Sequence, residues 1–189
     1  MGDLFERPNP TPLLIAESIR HFNEVDKQIA RSFWLVGNHD RPSRGEHHAL
    51  LPLVEVGAKV VAEPDTWELD DGVVILTLPY VTDWMARQRG FESAQVWLDE
   101  YAKDTVEGLE DGERLYVVGH LDVYGSEHSD ERDIGLHVPT ALLESAEHIW
   151  LGHVHKHQSV GGNVTIVGSA IVANFGEADE VKGIVEVEL

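Results

Sequence analysis

The chain has 189 residues, of which 42% are hydrophobic and 25% are charged, a composition that excludes a disordered chain and suits a single globular domain. It contains no cysteine, which excludes disulfides and thiolate metal sites, and no apolar run approaches the ~20 residues that a membrane-spanning helix needs. The formal net charge of -20 argues against indiscriminate binding of polyanions, and the absence of a signal-peptide pattern predicts a cytoplasmic protein.

Hydrophobic periodicity predicts helices and strands along the whole chain. Thr11 followed by Pro12 is typical of a helix N-terminus, and apolar residues three and four apart predict one buried face of a helix that reaches about Arg31. The sequence Asp70-Asp71-Gly72 between two apolar runs predicts a β-hairpin, because Gly tolerates positive φ. The predicted helices span residues 11–31, 47–56, 91–109 and 139–145. The predicted strands span residues 33–36, 59–62, 66–69, 73–78, 115–118, 148–151, 157–160, 164–167, 170–174 and 183–188.

The order of these elements predicts the fold class. Helices alternate with strands and a strand-rich part follows, which is typical of a layered α/β domain with mixed β-sheets flanked by helices. No internal repeat, low-complexity tract or interdomain linker interrupts this order, so residues 1–189 are predicted to form one domain.

A Gly-His-Val-His segment follows the apolar strand predicted at 148–151. Side chains two residues apart in an extended backbone point the same way, so His153 and His155 can reach a common point. Imidazole is the commonest side-chain metal ligand, although an isolated pair of this kind is more often two solvated histidines in a turn. The metal hypothesis therefore depends on related motifs elsewhere in the chain.

Three other polar motifs support a metal site. Gly2-Asp3 begins the chain, while Gly37-Asn38-His39-Asp40 and Gly119-His120 each follow a predicted strand. Loops at the ends of neighbouring strands meet at one sheet edge, where ligand sites usually form. Carboxylate and amide oxygens mixed with imidazoles suit Mn²⁺, Fe²⁺ or Zn²⁺. A carboxylate such as that of Asp3 can bridge two ions, and two ions about 3.5–4 Å apart make a site that hydrolyses phosphate esters.

These motifs resemble those of the calcineurin-like metallophosphoesterases and, within them, of the SbcD exonuclease family, the bacterial counterpart of the eukaryotic break-repair nuclease. The resemblance covers nearly the whole chain. It is carried by Gly2-Asp3-Leu4-Phe5-Glu6-Arg7-Pro8, Gly37-Asn38-His39-Asp40-Arg41-Pro42, Gly119-His120, Ser129-Asp130-Glu131-Arg132, Leu151-Gly152-His153-Val154-His155-Lys156-His157-Gln158, Gly168-Ser169, Phe175-Gly176-Glu177-Ala178 and Lys182-Gly183. It implies a metallophosphoesterase sandwich and metal-dependent hydrolysis of double-stranded DNA in repair or recombination.

The resemblance also implies a ligand set for two divalent ions, with Mn expected and Fe, Zn and Mg as alternatives. Asp3 would bridge the two ions. Asn38, His120 and His153 would complete the site of one ion, and His155 would bind the other. The bland alternatives are that Asn38 belongs to a plain turn and that His120 is a core histidine.

His39 would be the general acid that protonates the leaving oxygen, and Asp40 would orient the His39 ring or support its charge. Asp40 also suits a plain turn. The remaining histidines are interpreted as structural or exposed: His21, His47, His48, His128, His137, His148 and His157.

Four cations lie beside the motif loops, namely Arg7, Arg41, Arg44 and Lys156. They could form a local region of positive potential, which we call the cation funnel, on an otherwise acidic protein. Arg7, Arg41 and Lys156 would then be substrate-binding residues. The equally weighted alternative is that loops are often charged without such a role.

The sequence departs from the family pattern at its start. The family begins with a strand that ends in Asp-x-His, followed by a helix and a strand that ends in Gly-Asp, whereas here Met1 directly precedes Gly2-Asp3. The N-terminal strands are therefore expected to be missing, one metal site to be incomplete with only Asp3 and His155, and the capping domain to be absent. Three explanations stay open: a fragment or wrongly chosen start, a second polypeptide that supplies the strands, or a degenerate relative that binds without cutting.

Three functions follow from these observations. The first is a DNA nuclease of SbcD type, with DNA and an SbcC-like ATPase as implied partners. The second is a phosphodiesterase or phosphatase for a small nucleotide, which the acidic charge favours. The third is an inactive interaction module that forms a homodimer through the helix predicted at 11–31. No membrane partner is expected.

Overall fold

A six-stranded mixed sheet forms the centre of the chain in a computed structural model, which describes residues 1–29, 32–128 and 133–188. The helices are α1 (Pro12–Asp26), α2 (Leu51–Val54), α3 (Asp83–Gln88), α4 (Ala94–Glu107) and α5 (Thr140–Ser145). The strands are β1 (Phe33–Leu35), β2 (Lys59–Val61), β3 (Asp65–Leu69), β4 (Val73–Leu78), β5 (Arg114–His120), β6 (His148–Gly152), β7 (Gln158–Val160) and β8 (Val164–Ile166).

The strand order of the large sheet is β3-β4-β5-β6-β8-β7. The neighbours from β4 to β8 pair in parallel, whereas the two outer pairs, β3 with β4 and β7 with β8, are antiparallel. Buried parallel strands read as continuous apolar runs, and β4 is an example because its sequence Val-Val-Ile-Leu-Thr-Leu has five buried residues. The predicted layered α/β class with mixed sheets flanked by helices is therefore observed.

One face of the large sheet packs against α3, α4 and α5. The apolar side chains of this core include Leu98 from α4, Leu142 from α5 and Ile149 from β6, all fully buried. Ser93 begins α4 because its side chain accepts a hydrogen bond from the amide of Val96. Because the three helices cover a face of the sheet, the loops at the ends of the strands are left uncovered by them.

A second, smaller core surrounds the parallel pair of β1 and β2. Phe22 on α1 is 3% exposed and meets the Trp34 ring edge-on, with the ring centroids 5.9 Å apart. Ile19 also packs against this core, so the predicted apolar face of α1 is partly buried. Leu13 and Leu14 are 70% and 52% exposed, and the homodimer through this helix stays a prediction.

The sheet register places two functional segments at one edge. In β5 and β6, His120 pairs with Gly152, so His120 and His153 leave adjacent parallel strands at the same end. The backbone after β1 joins this edge, because the amide of Tyr80, just beyond β4, donates to the carbonyl of Val36 at 2.9 Å. The edge expected from the sequence motifs is therefore present.

Several predicted elements differ in extent. The hairpin at Asp70–Gly72 is confirmed, with Leu69 paired to Val73, but the helix predicted at 47–56 shortens to α2. The amide of Ala49 instead donates to the carbonyl of Asp40 at 2.8 Å, which draws the start of that segment into a loop. Within the described residues, α1 ends at Asp26, and Ala30 and Arg31 lie outside the description.

Two predicted strands are absent from the described part of the chain, those at 170–174 and 183–188. The alternating apolar residues of the last segment stay in solvent, with Ile184 92% exposed, because no described strand pairs with them. The short helix α3 was not predicted, although Thr82 accepts a hydrogen bond from the amide of Met85 as an N-cap. No helix among the described residues is both long and apolar enough to cross a membrane.

Arg41 belongs to the structure that joins the two cores. It is 4% exposed, and its guanidinium donates to the carbonyl of Ala62 at 2.6 Å and contacts the sulfur of Met85. Burial lowers the pKa of Arg41 to about 10, so the side chain is still charged at neutral pH. This environment disagrees with the predicted role of Arg41 as a substrate-binding residue.

We expect Arg41→Ala to destabilise the fold by about 2–4 kcal/mol, because the variant leaves a cavity and a buried carbonyl without its donor. Urea denaturation would measure the change. Arg44→Ala is the matched control, since Arg44 is exposed. Equal unfolding midpoints for the two variants would show that the buried guanidinium adds nothing to stability.

Candidate metal centre

Two glycines allow the Met1–Asp3 segment to approach the sheet edge. A Cβ atom added at Gly37 would overlap the Asp3 carboxylate, and one added at Gly152 would overlap the carbonyl oxygen of Met1. Asp3 itself has φ 54, a left-handed conformation that Asp tolerates better than most residues. Asp3 can therefore lie beside the strand ends only because residues 37 and 152 are glycines.

His120 shows which of its ring nitrogens is available. Its Nδ1 lies 2.8 Å from the carbonyl oxygen of Met1, and a carbonyl only accepts, so Nδ1 carries the proton that is donated. In the neutral ring, Nε2 then presents a lone pair. That Nε2 lies 2.8 Å from Asn38 Oδ1 and 3.2 Å from Asp3 Oδ2. Three electron-rich atoms thus converge, which is the arrangement that a cation stabilises.

His153 completes this group from the neighbouring strand. Its Nδ1 lies 3.2 Å from Asn38 Oδ1, and ligand atoms of Asp3, His120 and His153 all lie within 4.8 Å of one another. The backbone of His153 has φ 85, a conformation that costs about 1–3 kcal/mol for a side-chain-bearing residue and is concentrated at functional sites. The described residues therefore contain a buried Asp and His group that could hold a metal ion. We call Asp3, Asn38, His120 and His153 the Asp3 cluster.

Asp3 is ionised in this setting. Burial alone would raise the pKa of Asp3, but contact with His120 when that ring is protonated, together with the hydrogen bond from the amide of His39, lowers it. The amide of His39 donates to Asp3 Oδ1 at 2.8 Å, while Asp3 Oδ2 faces His120. One carboxylate oxygen therefore fixes the loop and the other faces the cluster.

His155 belongs to neither of the three-residue groups that the described residues form. Its Nδ1 donates to Glu177 Oε1 at 2.8 Å, which leaves Nε2 as the ring atom with a lone pair. Metal-binding histidines commonly donate their second ring nitrogen to a carboxylate in this way. The predicted role of His155 as a ligand for a second ion stays a prediction, with Glu177 as a supporting residue that sequence reasoning missed.

Glu177 is a buried carboxylate that is held ionised. Burial alone would raise its pKa, but hydrogen bonds from Lys182, the amide of Ala173 and His155 lower the pKa of Glu177 to about 2. The side chain of Glu177 is fully buried, and Asn174 also donates to it at 2.8 Å. In the sequence, Glu177 belongs to the motif Phe175-Gly176-Glu177-Ala178.

A lowered carboxylate pKa in the folded state stabilises the fold above the unfolded pKa, and this contribution is lost as the pH falls through the folded pKa. For Glu177 the interval runs from the usual 4.5 down to about 2. As the pH falls across this interval, we expect Glu177→Gln to lose less stability than the wild type. Urea unfolding midpoints in the presence of EDTA measure the loss, and Glu68→Gln is the control because Glu68 is exposed. Parallel curves for the wild type and Glu177→Gln would contradict the assigned pKa.

His39 and Asp40 do not contact each other through their side chains in the way the sequence predicted. The exposed ring of His39 donates from Nδ1 to the carbonyl of Glu6 at 3.0 Å. The Asp40 carboxylate, fully buried, accepts from the amides of Gly37 and Phe5 at 2.9 Å each, and from Leu4 at 3.3 Å. Burial and the nearby Asp3 raise the pKa of Asp40 against the effect of these amides. The carbonyl of Glu6 therefore orients His39, and Asp40 instead ties two loops together.

The predicted cation funnel is weaker than expected. Arg41 is buried, and Lys156 pairs with Glu127 on the surface. Arg7 and Arg44 are exposed. Residues 129–132, which also contributed to the family resemblance, lie outside the described residues.

A second group of ligand atoms was not predicted. Asp122, His128 and His153 each offer one atom, and these atoms all lie within 4.8 Å of one another. Asp122 follows Gly119-His120 by two residues, and His128 had been interpreted as structural or exposed. A carboxylate just after a strand that ends in Gly-His was the available sequence signal for Asp122. We call these three residues the Asp122 cluster.

Comparison with known proteins adds little to this geometry. No family model matches the chain, and no curated protein is significantly similar to it. Several solved chains match, and one of them, a crystal structure, aligns with 85% of this chain and 69% of its own length, with a TM-score of 0.48 and 18% identity. A similarity of this size supports no inference about function, so the function rests on the residues themselves.

Proposed function

We propose that the chain is a metal-dependent phosphodiester hydrolase of the metallophosphoesterase type, with double-stranded DNA as its substrate, as in the SbcD family. The observation that supports this most is the convergence of acceptor atoms from Asp3, Asn38 and His120. The Nδ1 of His120 is engaged by a carbonyl oxygen, so its Nε2 lone pair faces two further acceptors 2.8 and 3.2 Å away. Such a group is stable when a cation lies between its members.

The donor set fits a divalent ion. Oxygen from Asp3 and Asn38 combined with nitrogen from His120 and His153 suits Mn²⁺ or Fe²⁺, and the separations of 2.8 to 3.2 Å are close to the ~3.0 Å between adjacent ligands of an octahedral ion with bonds of about 2.1 Å. His155 would hold a second ion together with Asp3. When bound, such ions lower the pKa of a water molecule and offset the charge of the phosphate.

His39 is the residue of this chain best placed to move a proton. Its Nδ1–H is fixed on the carbonyl of Glu6, so Nε2 is the nitrogen that would carry a proton to the leaving oxygen. The side chain is exposed, and the amide of the same residue donates to Asp3 at 2.8 Å. His39 is thereby held beside the Asp3 cluster and open to a substrate.

The test uses the chain stripped with EDTA and reloaded with Mn²⁺. Linear double-stranded DNA, bis-p-nitrophenyl phosphate and cyclic nucleotides are offered in parallel. Cleavage of the DNA is expected to be slow, because only Asp3 and His155 are proposed to hold the second ion. His39→Gln should lower turnover by about 10²–10⁴-fold while Mn²⁺ stays bound, with the exposed His47→Gln as a matched control. Loss of Mn²⁺ from His39→Gln would make His39 a ligand and the role of general acid wrong.

A specific observation favours a second candidate, a phosphodiesterase for small nucleotides. DNA binding uses exposed Lys and Arg, yet of the three predicted substrate-binding cations Arg41 is buried and Lys156 is paired with Glu127. The net charge of -20 adds to this. Cleavage of the small esters without cleavage of DNA would support this candidate, and bound Mn²⁺ with no hydrolysis of any substrate would support an inactive interaction module.

A further inference from the structure

The carboxylate of Asp122 has one oxygen that receives no hydrogen bond from the described residues. Asp122 is 2% exposed, its Oδ2 accepts from the amide of Ile134 at 2.8 Å, and its Oδ1 is buried without a hydrogen-bond partner in the part of the chain that the structure describes. That oxygen lies 3.6 Å from His128 Nε2 and 3.7 Å from His153 Nε2. A buried carboxylate oxygen without a donor is costly, unless a cation occupies the space in front of it.

Two of the three separations between these atoms are nearer to one coordination geometry than to another. Around a tetrahedral zinc ion with bonds of about 2.0–2.1 Å, adjacent ligand atoms are about 3.4 Å apart, whereas around an octahedral ion they are about 3.0 Å apart. The 3.6 and 3.7 Å distances to Asp122 Oδ1 are closer to the tetrahedral value. One carboxylate oxygen and two imidazoles are also a common ligand set for Zn²⁺, and three protein ligands leave a fourth position for water.

The framework holds two of the three ligands in place. Asp122 follows β5, where its amide donates to the carbonyl of Leu136 at 2.8 Å and its carbonyl accepts from the amide of Val138 at 3.0 Å. His153 follows β6. The third ligand, His128, lies on a loop, where its Nε2 contacts Ser126 Oγ at 3.2 Å as well as facing Asp122.

We propose that Asp122, His128 and His153 form a tetrahedral site for Zn²⁺ or a similar ion, separate from the Asp3 cluster and in competition with it for His153. The His153 ring offers Nδ1 to Asn38 and Nε2 to Asp122. A neutral imidazole has a proton on one nitrogen and a lone pair on the other, so it binds one ion at a time. Zn²⁺ at the Asp122 cluster withdraws His153 from the Asp3 cluster.

The competition has a chemical consequence that rests on the proposed function. An ion at the Asp122 cluster leaves Asp3, Asn38 and His120 without their fourth ligand, so Zn²⁺ should inhibit Mn²⁺-dependent hydrolysis. The existence of the site does not depend on hydrolysis, and it is tested first by the metal alone.

Co²⁺ is the probe, because tetrahedral Co²⁺ absorbs visible light far more strongly than octahedral Co²⁺. The full chain should show the tetrahedral spectrum, and Zn²⁺ should displace it. His128→Gln and Asp122→Asn should remove the spectrum and weaken Zn²⁺ binding by about 10–100-fold, whereas Asp3→Asn should keep both. His137→Gln is the control, since this half-buried histidine stacks on Tyr124 outside the cluster. His128→Gln changes a loop side chain, so it tests the site even if Asp122→Asn does not fold.

The outcomes separate the site from the proposed activity. Loss of the Co²⁺ spectrum in His128→Gln supports the site even when no substrate is cleaved. An unchanged spectrum and unchanged Zn²⁺ affinity in that variant overturn the site, even when Mn²⁺-dependent hydrolysis is present. If hydrolysis is present, the Zn²⁺ concentration for half-inhibition should be at least about tenfold higher for His128→Gln than for the wild type. Each rate is expressed relative to the rate of the same protein without Zn²⁺. Equal Zn²⁺ sensitivity of the wild type and His128→Gln overturns the competition.

Discussion

His153→Ala is expected to abolish tight metal binding by the chain. His153 belongs to both clusters of ligand atoms in the described residues, with Nδ1 3.2 Å from Asn38 Oδ1 and Nε2 3.7 Å from Asp122 Oδ1. Its loss leaves each cluster short of one bond and of the geometry that the ring imposes. Changes outside the ligand set already cost about 10–100-fold in affinity, so loss of the shared ligand should cost at least about 100-fold for both Mn²⁺ and Zn²⁺.

Isothermal titration of the EDTA-treated chain measures this effect for each ion. His157→Ala is the matched control, because His157 lies four residues along the same segment with an exposed side chain. Circular dichroism shows whether the variant is folded. Alanine keeps the positive φ of residue 153, so the substitution leaves the backbone strain unchanged. Wild-type affinity for both ions in a folded His153→Ala would remove the basis for either cluster.

Asp40→Ala is expected to lower the free energy of unfolding by about 3–5 kcal/mol. Asp40 is fully buried and its carboxylate accepts from the amides of Gly37, Leu4 and Phe5. Alanine leaves these amides without an acceptor, and each unsatisfied buried donor costs about 1–3 kcal/mol. Because the carboxylate joins the segment after Asp3 to the loop after β1, the variant should also weaken metal binding.

Urea denaturation measures the first effect and Mn²⁺ titration the second. Asp40→Asn removes one acceptor oxygen and keeps the size, so its stability should lie between the wild type and Asp40→Ala. Asp111→Ala is the control, because Asp111 is exposed in a turn. If Asp40→Ala keeps wild-type stability and loses only turnover, Asp40 acts through His39, as the sequence suggested. Its hydrogen bonds between the two loops would then not be needed for stability.

The parts of the fold that sequence predicted best are those where the local pattern and burial agree. The run at Val73–Leu78 is apolar because both faces of a central parallel strand are buried, and Asp70–Gly72 supplies the positive φ of the hairpin. The strands expected at 170–174 and 183–188 had the right composition, but a strand also needs a neighbour with free hydrogen-bonding groups. Pairing is a property of the folded chain, and periodicity does not reveal it.

The candidate site was predictable where a motif follows a strand. Asn38, His120 and His153 belong to such motifs, the family resemblance adds Asp3 to them as a ligand set, and the structure brings the four together. Asp122 and Glu177 were missed because single carboxylates in loops are common, and only burial distinguishes these two. The contacts of Asp40 differ from those expected for a related reason, since adjacency in sequence to His39 does not fix which amides a carboxylate faces.

Gly37 and Gly152 affect how genetic data on this chain should be interpreted. Neither residue offers a ligand atom, yet a methyl group at either position would overlap Asp3 or the Met1 carbonyl. Selection for function in a library of random variants should therefore reject alanine at both positions as strictly as it rejects changes at the ligands. Intolerance to substitution alone would place these two glycines among the metal-binding or catalytic residues. Their contribution is instead the absence of a side chain, which lets two stretches of backbone lie close together.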